Sequence, residues 1–427
     1  MIRSSSSPCA TCSIRPGCKS CTRITGAKRR RRQRERSFGP VIHSLEEFGL
    51  GIDFGSRVVK TLSLRRSAGR VDIQAAGLLE FDPGIVEEGV VTSPKPLAAR
   101  LAKHLEGAGI PLHSAVFSIP SQLATLRWVS LPPLLGQDLR DAARYKVKRH
   151  IPFSVEAAYI EASTPDVQDG AETGPSLVFA VPKAIVDSRA EVLEYAGIEP
   201  VSAELEASAL LRVVERNLNQ RSALWRDASL TIIDMGSNNA HMYVVQNQRL
   251  QFMRSIRFGS ERIARAVALE LGIPQDRAEE LLGAELTELD ENGVLHVEVE
   301  GLPARISVHS EVDKLHTEFV RLLRYFRSLH PERSYAGILD HVILCGGLGG
   351  LRGFAEYVQR TVGLRVERAR PFAGMVGKFS KEAFTNIVNR QEAYTVSVGL
   401  AMSHLESRDL RQGTDDATRE FVWARAS

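Results

Sequence analysis

The chain has 427 residues, 43% hydrophobic and 25% charged, with a net charge of +4. That balance excludes a wholly disordered polymer, and the length buries more than one core, with two or three domains as the starting expectation. No stretch approaches the roughly 18 apolar residues of a membrane-spanning helix, and residues 1–30 lack the apolar segment of a secretion signal, so a cytoplasmic protein is expected.

The first 45 residues hold 11 Lys or Arg and one acidic residue, leaving 44 basic and 50 acidic in the remainder, so the head carries +10 and the body −6. The run Lys28-Arg29-Arg30-Arg31-Arg32-Gln33-Arg34-Glu35-Arg36 suits anionic lipid or nucleic acid, but it also reads as a solvated tail, and no specific nucleic-acid partner is expected. Four of the five cysteines fall here as Cys9-x-x-Cys12 and Cys18-x-x-Cys21. The five residues between the pairs are far fewer than the roughly 12 to 20 of zinc modules, leaving a tight four-cysteine site and free thiols as alternatives.

Strand-like runs then alternate with helical periods, which predicts α/β or α+β layers. A β-rich run ends in Gly51-Ile52-Asp53-Phe54-Gly55-Ser56 and leads into Val58-Val59-Lys60. A helix follows over Leu97 to Leu105. Strands are predicted around Leu126 to Val129 and Leu177 to Val181, with helices over Asp138 to Arg149, Lys183 to Ala196 and Leu205 to Leu218. A polar, glycine-containing hairpin loop separates them at Asp166 to Pro175. About 180 residues after the first motif, Thr231-Ile232-Ile233-Asp234-Met235-Gly236-Ser237-Asn238-Asn239 repeats it and resumes as Met242-Tyr243-Val244-Val245. Last, His341-Val342-Ile343-Leu344-Cys345 enters the turn Gly346-Gly347-Leu348-Gly349-Gly350-Leu351-Arg352-Gly353, with a helix from near Phe354 and Cys345 as a buried small hydrophobe.

In both Asp-x-Gly-Ser copies, glycine lets backbone turn close to an anion while Ser hydroxyls and free amides donate to phosphate oxygens. The Asp before each turn suits Mg²⁺ held through water, since that ion takes one or two carboxylates plus phosphate oxygens. Either copy alone is an ordinary hairpin connector. The late glycine turn is not the G-x-G-x-x-G of a Rossmann unit; it brings backbone against a flat ligand or its phosphates.

The order of these three elements resembles the two phosphate motifs and the adenosine motif of the actin-like ATPase superfamily. Within it, residues 47 to 405 resemble the type IV pilus assembly PilM family, itself related to the cell-division protein FtsA. Four stretches carry the likeness: Tyr145-Lys146-Val147-Lys148-Arg149-His150-Ile151-Pro152-Phe153; Ala196-Gly197-Ile198 through Glu204-Leu205-Glu206-Ala207; Arg257-Phe258-Gly259 through Leu271-Gly272-Ile273 with Ala278-Glu279-Glu280-Leu281; and Ala393-Tyr394-Thr395-Val396-Ser397-Val398-Gly399-Leu400-Ala401. Two departures stand out. The helix before Ile151, usually acidic in the family, carries Arg144, Lys146, Lys148 and Arg149, and Asn238 and Asn239 replace the usual Thr or Ser.

The resemblance implies an α/β, actin-like (RNase H-like) two-domain ATPase fold with an inserted SHS2-type α+β subdomain. Residues 1–46 would be a tail and 47–117 the first subdomain, completed by about 201–228 and 385–407. Residues 118–200 would be the insert, 229–384 the second half with a mostly helical lobe over about 260–335, and 408–427 a polar tail. It implies ATP with Mg²⁺ between the halves: Asp53 and Asp234 near the metal, Gly55, Ser56, Lys60, Gly236, Ser237 and Asn238 on phosphates, and Gly346, Gly347 and Gly350 along adenine and ribose. Glu206 would orient an attacking water, or else be a solvent-facing helix residue. It further implies a scaffold of type IV pilus, or related type II secretion, assembly at the inner face of the cytoplasmic membrane, binding the cytoplasmic tail of a PilN-like protein and linking it to the motor ATPases, with self-association as a further expectation. Ile151, Pro152 and Phe153 are candidates to line the tail's groove, with core anchoring as the alternative for Ile151 and Phe153. An FtsA-like filament protein would need a C-terminal membrane helix, whereas Arg408 to Ser427 groups only Phe421, Val422 and Trp423. A sugar kinase would need a catalytic Asp and a polar sugar pocket that no distinctive motif marks.

Overall fold

The computed structural model describes residues 47–412 except 68, 83, 166–170, 220–228, 247–248, 330–340 and 378–386. The basic head with Cys9, Cys12, Cys18 and Cys21, the Phe421-Val422-Trp423 group and the tip of the 166–175 loop lie outside the described residues.

Alternating apolar residues build the first sheet. Strands β1 (Glu47–Phe54), β2 (Val58–Ser67) and β3 (Arg70–Glu80) form an antiparallel meander. After the two-residue strands β4 (Val86–Glu87) and β5 (Val90–Val91), helix α1 (Pro94–Gly107) leads to β6 (Ser114–Ile119), which joins β1 in parallel. The chain then leaves this sheet for an α+β segment of β7 (Thr125–Leu131), α2 (Gly136–Val147), β8 (Ala158–Ala162) and β9 (Gly174–Pro182), its strands ordered β7-β9-β8 and antiparallel. Helix α3 (Lys183–Tyr195) brings it back to β10 (Glu199–Leu205), parallel to β6, and α4 (Glu206–Asn219).

The second sheet repeats that pattern. An antiparallel meander of β11 (Leu230–Met235), β12 (Ala240–Gln246) and β13 (Arg249–Ile256) precedes α5 (Ser260–Leu271), α6 (Gln275–Leu282), β14 (Glu288–Leu289), β15 (Val294–Val299), β16 (Leu302–Ser307) and α7 (His309–Leu329). Strands β17 (His341–Cys345) and β18 (Arg365–Arg368), separated by α8 (Gly346–Gly349) and α9 (Phe354–Val362), complete it in parallel, and α10 (Thr395–Gln412) follows. The two orders, β3-β2-β1-β6-β10 and β13-β12-β11-β17-β18, are the same arrangement of strands. In the lobe at 260–335, helices α5, α6 and α7 hold most of the residues, and β14, β15 and β16 add a small three-stranded sheet beside them.

Period-two alternation assigns each strand face to a core. In β11, Ile233 and Met235 enter the second-half core with α5, α7 and α9, while Leu230 and Ile232 face the opposite side, packing with Leu210 and Val214 of α4 and with Val396 and Leu400 of α10. Helix α3 lies in the expected insert span, yet Ile185, Val186, Val192 and Leu193 pack into the first-half core with Phe54, Leu97 and Leu101. Helix α10 sits directly on β1. A Cβ at Gly51 would lie 2.1 Å from the Ser397 carbonyl oxygen, and the Leu50 amide donates to His404 Nδ1 at 3.0 Å. Among the described residues, no helix is long and apolar enough to cross a membrane.

Candidate functional site

Two hairpin tips face one cleft of about 1970 Å³. At the first, the Gly55 amide donates to the Val58 carbonyl at 3.0 Å, leaving no room for a side chain, since a Cβ there would meet that oxygen at 2.8 Å. At the second, the Gly236 amide donates to the Asn239 carbonyl at 3.0 Å. The start of α5 grips this tip through the amides of Ser260 and Glu261, which donate to the carbonyls of Gly236 and Ser237. Gly259 permits that approach, because its Cβ would fall 2.0 Å from the Ser237 oxygen. Gly55, Ser56, Gly236, Ser237 and Asn238 all line the cleft.

The repeated Asp occupies the same place in each sheet, next to last in β1 and in β11. Strand register puts Lys60 opposite Asp53 and His241 opposite Asp234. Lys60 Nζ donates to Asp53 Oδ2 at 2.8 Å, and the Asp53 carboxylate is almost wholly buried. Burial pulls the Lys60 pKa down, but Asp53, Asp234 and Glu206 together outweigh it and hold the ammonium well above the usual lysine range. His241 lines the cleft beside Ser255 Oγ at 2.8 Å, and burial pushes it down to about 4.

Glu206 begins α4 and is buried at 9% exposure, not solvent-facing. Its Oε2 accepts from the Ser121 amide at 3.2 Å, and Ser121 Oγ in turn accepts from the Ala207 amide at 2.9 Å. Burial first, then the charges of Asp53 and Asp234, push Glu206 up to about 8. Burial likewise pushes Asp234 up to about 6, against the pull of Lys60.

The glycine turn closes the other side. Gly346 has φ +78°, and a Cβ on it would stand 2.5 Å from Asp234 Oδ1, so only glycine lets the end of β17 cross this carboxylate. Gly347 opens onto free space. Arg368 braces the turn by donating from Nη2 to the Gly350 carbonyl at 2.8 Å while its Nε lies 2.8 Å from buried Glu392. Cys345 is fully buried, as read from sequence.

The structure therefore gathers Asp53, Gly55, Ser56, Lys60, Glu206, Asp234, Gly236, Ser237, Asn238, Gly346, Gly347 and Gly350 around one cleft. Ile151, Pro152 and Phe153 stand apart from it. Ile151 and Phe153 pack half-buried on the core of the β7-β9-β8 sheet, and Pro152 is exposed. Sequence reasoning missed His241, Gly259, Arg368 and Glu392, and also Arg189 of α3. Strand pairing opposite Asp234 is a signal that could have found His241.

The donor set fits a magnesium nucleotide. Asp53 and Asp234 line one cleft with Lys60 and the hairpin tips, a donor set of two carboxylates beside phosphate-binding groups that suits a hydrated Mg²⁺. Among the described residues no group of three or more His, Cys, Asp or Glu forms a protein metal cage.

The family model of the type IV pilus assembly protein PilM matches residues 51–405. The chain belongs to the PilM family. A PilM-PilN type IV pilus biogenesis complex has the same fold, with a TM-score of 0.67 and 21% identity over 85% of this chain and 99% of that one. The cell division protein FtsA of Streptococcus pneumoniae is 22% identical over 381 residues, 81% of this chain and 80% of its own length. Type II secretion system protein L of Xanthomonas campestris is 32% identical over 101 residues, 24% of this chain and 26% of that protein. The fold is thus actin-like, built of two α/β halves with the same strand order.

Proposed function

We propose that the chain is an ATP-binding scaffold of type IV pilus assembly that holds the cytoplasmic tail of a PilN-like inner-membrane protein and links it to the motor ATPases. The observation that carries the nucleotide part is the pairing of two glycine-tipped hairpins, with Asp53 and Asp234 at matching positions, across a cleft closed by the Gly346 turn. Mg²⁺, when bound, neutralises charge on the phosphate chain. The hairpin amides, Ser56, Ser237 and Lys60 bind the phosphates, and the backbone at Gly346, Gly347 and Gly350 takes the base and sugar. Glu206 holds or releases a proton beside the phosphates and orients a water there, which gives slow hydrolysis a route.

The partner part rests on family membership and on the related PilM-PilN complex. A tail laid between the first half and the β7-β9-β8 segment would add backbone hydrogen bonds and fill side-chain pockets. The chain would then sit at the inner face of the membrane through its partner. The test is a thermal-shift titration with Mg²⁺-ATP, with and without a peptide of a PilN-like protein's N-terminal cytoplasmic tail. Both ligands should raise the melting temperature of the wild type, and Asp53→Ala and Asp234→Ala should each weaken the nucleotide response. Full ATP protection in both variants would sink the site assignment.

A further inference from the structure

Arg189 lies on α3, the helix that follows directly on β9 of the α+β segment, and its side chain is fully buried. Its Nη1 donates to the Gly89 carbonyl at 2.6 Å and to the Ile185 carbonyl at 2.8 Å, which anchors the side chain. Nε and Nη2 have no hydrogen-bond partner, and the guanidinium lies 5.9 Å over the ring of Phe54, the residue after Asp53. A buried cation with two idle donor nitrogens and no ion pair among the described residues is costly unless something else completes it. It borders the same cleft as Gly55, Ser56 and Asp53. Glu206 and Asp53 are the carboxylates whose charges act on it, opposing the burial that lowers its pKa.

We propose that Arg189 contacts the terminal phosphate of a nucleoside triphosphate in this cleft, and so ties α3 and the sheet behind it to the state of the nucleotide. A guanidinium presents donors in a planar fork that matches phosphate oxygens, and here one arm of the fork is fixed while the rest is free. Position selects the phosphate end. Arg189 lies over Phe54 of the first hairpin and under the influence of the charges of Asp53 and Glu206, whereas the turn suited to the base leaves β17 on the second half. A purely structural arginine would spend its donors on the protein, as Nη1 does.

The inference rests on the nucleotide reading of the cleft, and the experiment separates the two. Calorimetric titration of the full chain with Mg²⁺-ATP and Mg²⁺-ADP is run on wild type, Arg189→Met and Arg189→Lys. Arg189→Met should weaken ATP roughly 10- to 100-fold, the span of a lost charge-assisted hydrogen-bond pair, and leave ADP within about twofold. Arg189→Lys, which keeps the charge without the fork, should lose ATP affinity by an intermediate factor and carries the test if the methionine variant fails to fold. An unchanged ratio of ATP to ADP affinity in the folded variants, or an equal loss of both, overturns the proposal while the cleft assignment stands. A wild-type chain that binds neither nucleotide overturns both.

Discussion

Replacing Glu206 with glutamine should remove a large part of the dependence of the chain's stability on pH between 6 and 8. Glutamine keeps an oxygen for the Ser121 amide, yet it cannot ionise. In the folded chain the Glu206 carboxyl is pushed from 4.5 up to about 8 by burial and by Asp53 and Asp234. The native state therefore holds a proton that the unfolded chain has already released, and that stabilisation drains away as pH climbs toward the folded value. Across pH 6 to 8 the linkage amounts to about 2 kcal/mol for one such group. Asp234 drains over a lower window, from 3.8 to about 6. His241, depressed to about 4, withdraws stability as pH falls below its ordinary 6.5, and because both groups are common to the two chains they drop out of the difference between them. Urea unfolding at pH 6 and pH 8, without nucleotide and with chelator, reads the difference. The lead of the glutamine variant over the wild type should grow by about 2 kcal/mol between pH 6 and pH 8. Parallel pH dependence in both chains would refute the buried, carboxylate-crowded picture of Glu206.

Gly346→Ala meets a positive φ and a Cβ position 2.5 Å from Asp234 Oδ1, so it should cost roughly 1 to 3 kcal/mol and remove thermal protection by Mg²⁺-ATP. Gly347→Ala, with open space around its Cβ, should leave the fold intact, and equal melting temperatures for the two variants would count against the crowded crossing. Phe153→Ala trims a half-buried ring from the core of the β7-β9-β8 sheet and should cost about 1 to 2 kcal/mol. Wild-type affinity of that folded variant for the membrane-protein tail would remove Phe153 from the proposed groove.

The chemistry-bearing backbone of the cleft was legible because each piece is local. Asp53, Gly55 and Ser56 sit within four residues, as do Asp234, Gly236 and Ser237, and the strand before each is marked by apolar residues. Helix α3 was predicted over Lys183 to Ala196 and forms over Lys183–Tyr195. Contacts that join distant segments left no such mark. Arg189 reads as one more charged residue on an amphipathic helix, and its place beside the cleft comes from contacts with the distant Gly89 carbonyl and Phe54 ring. The pair Arg368 and Glu392 is separated by residues whose spacing gives no period, and the sheet of β14, β15 and β16 hides because its strands are only two to six residues long. The reading of Ile151 and Phe153 as core anchors describes where they pack, and a groove beside them is a matter for the tail-binding experiment.

Close seating of α10 on β1 has a consequence for synthesis. Residues 395–405 cover Leu62, Leu64 and Ile73 of the first sheet, while the partners of those strands in β2 and β3 are made some 300 residues earlier. As the chain leaves the ribosome, that apolar face stays incompletely covered, with Val213 and Phe372 among its earlier partners, until Val398, Ala401 and Leu405 emerge, whereas most of the second-half core, from Ile233 to Val366, can close beforehand. The half begun first is thus finished last, and a nascent chain stalled before residue 395 would present a sticky sheet to chaperones even with its other half complete.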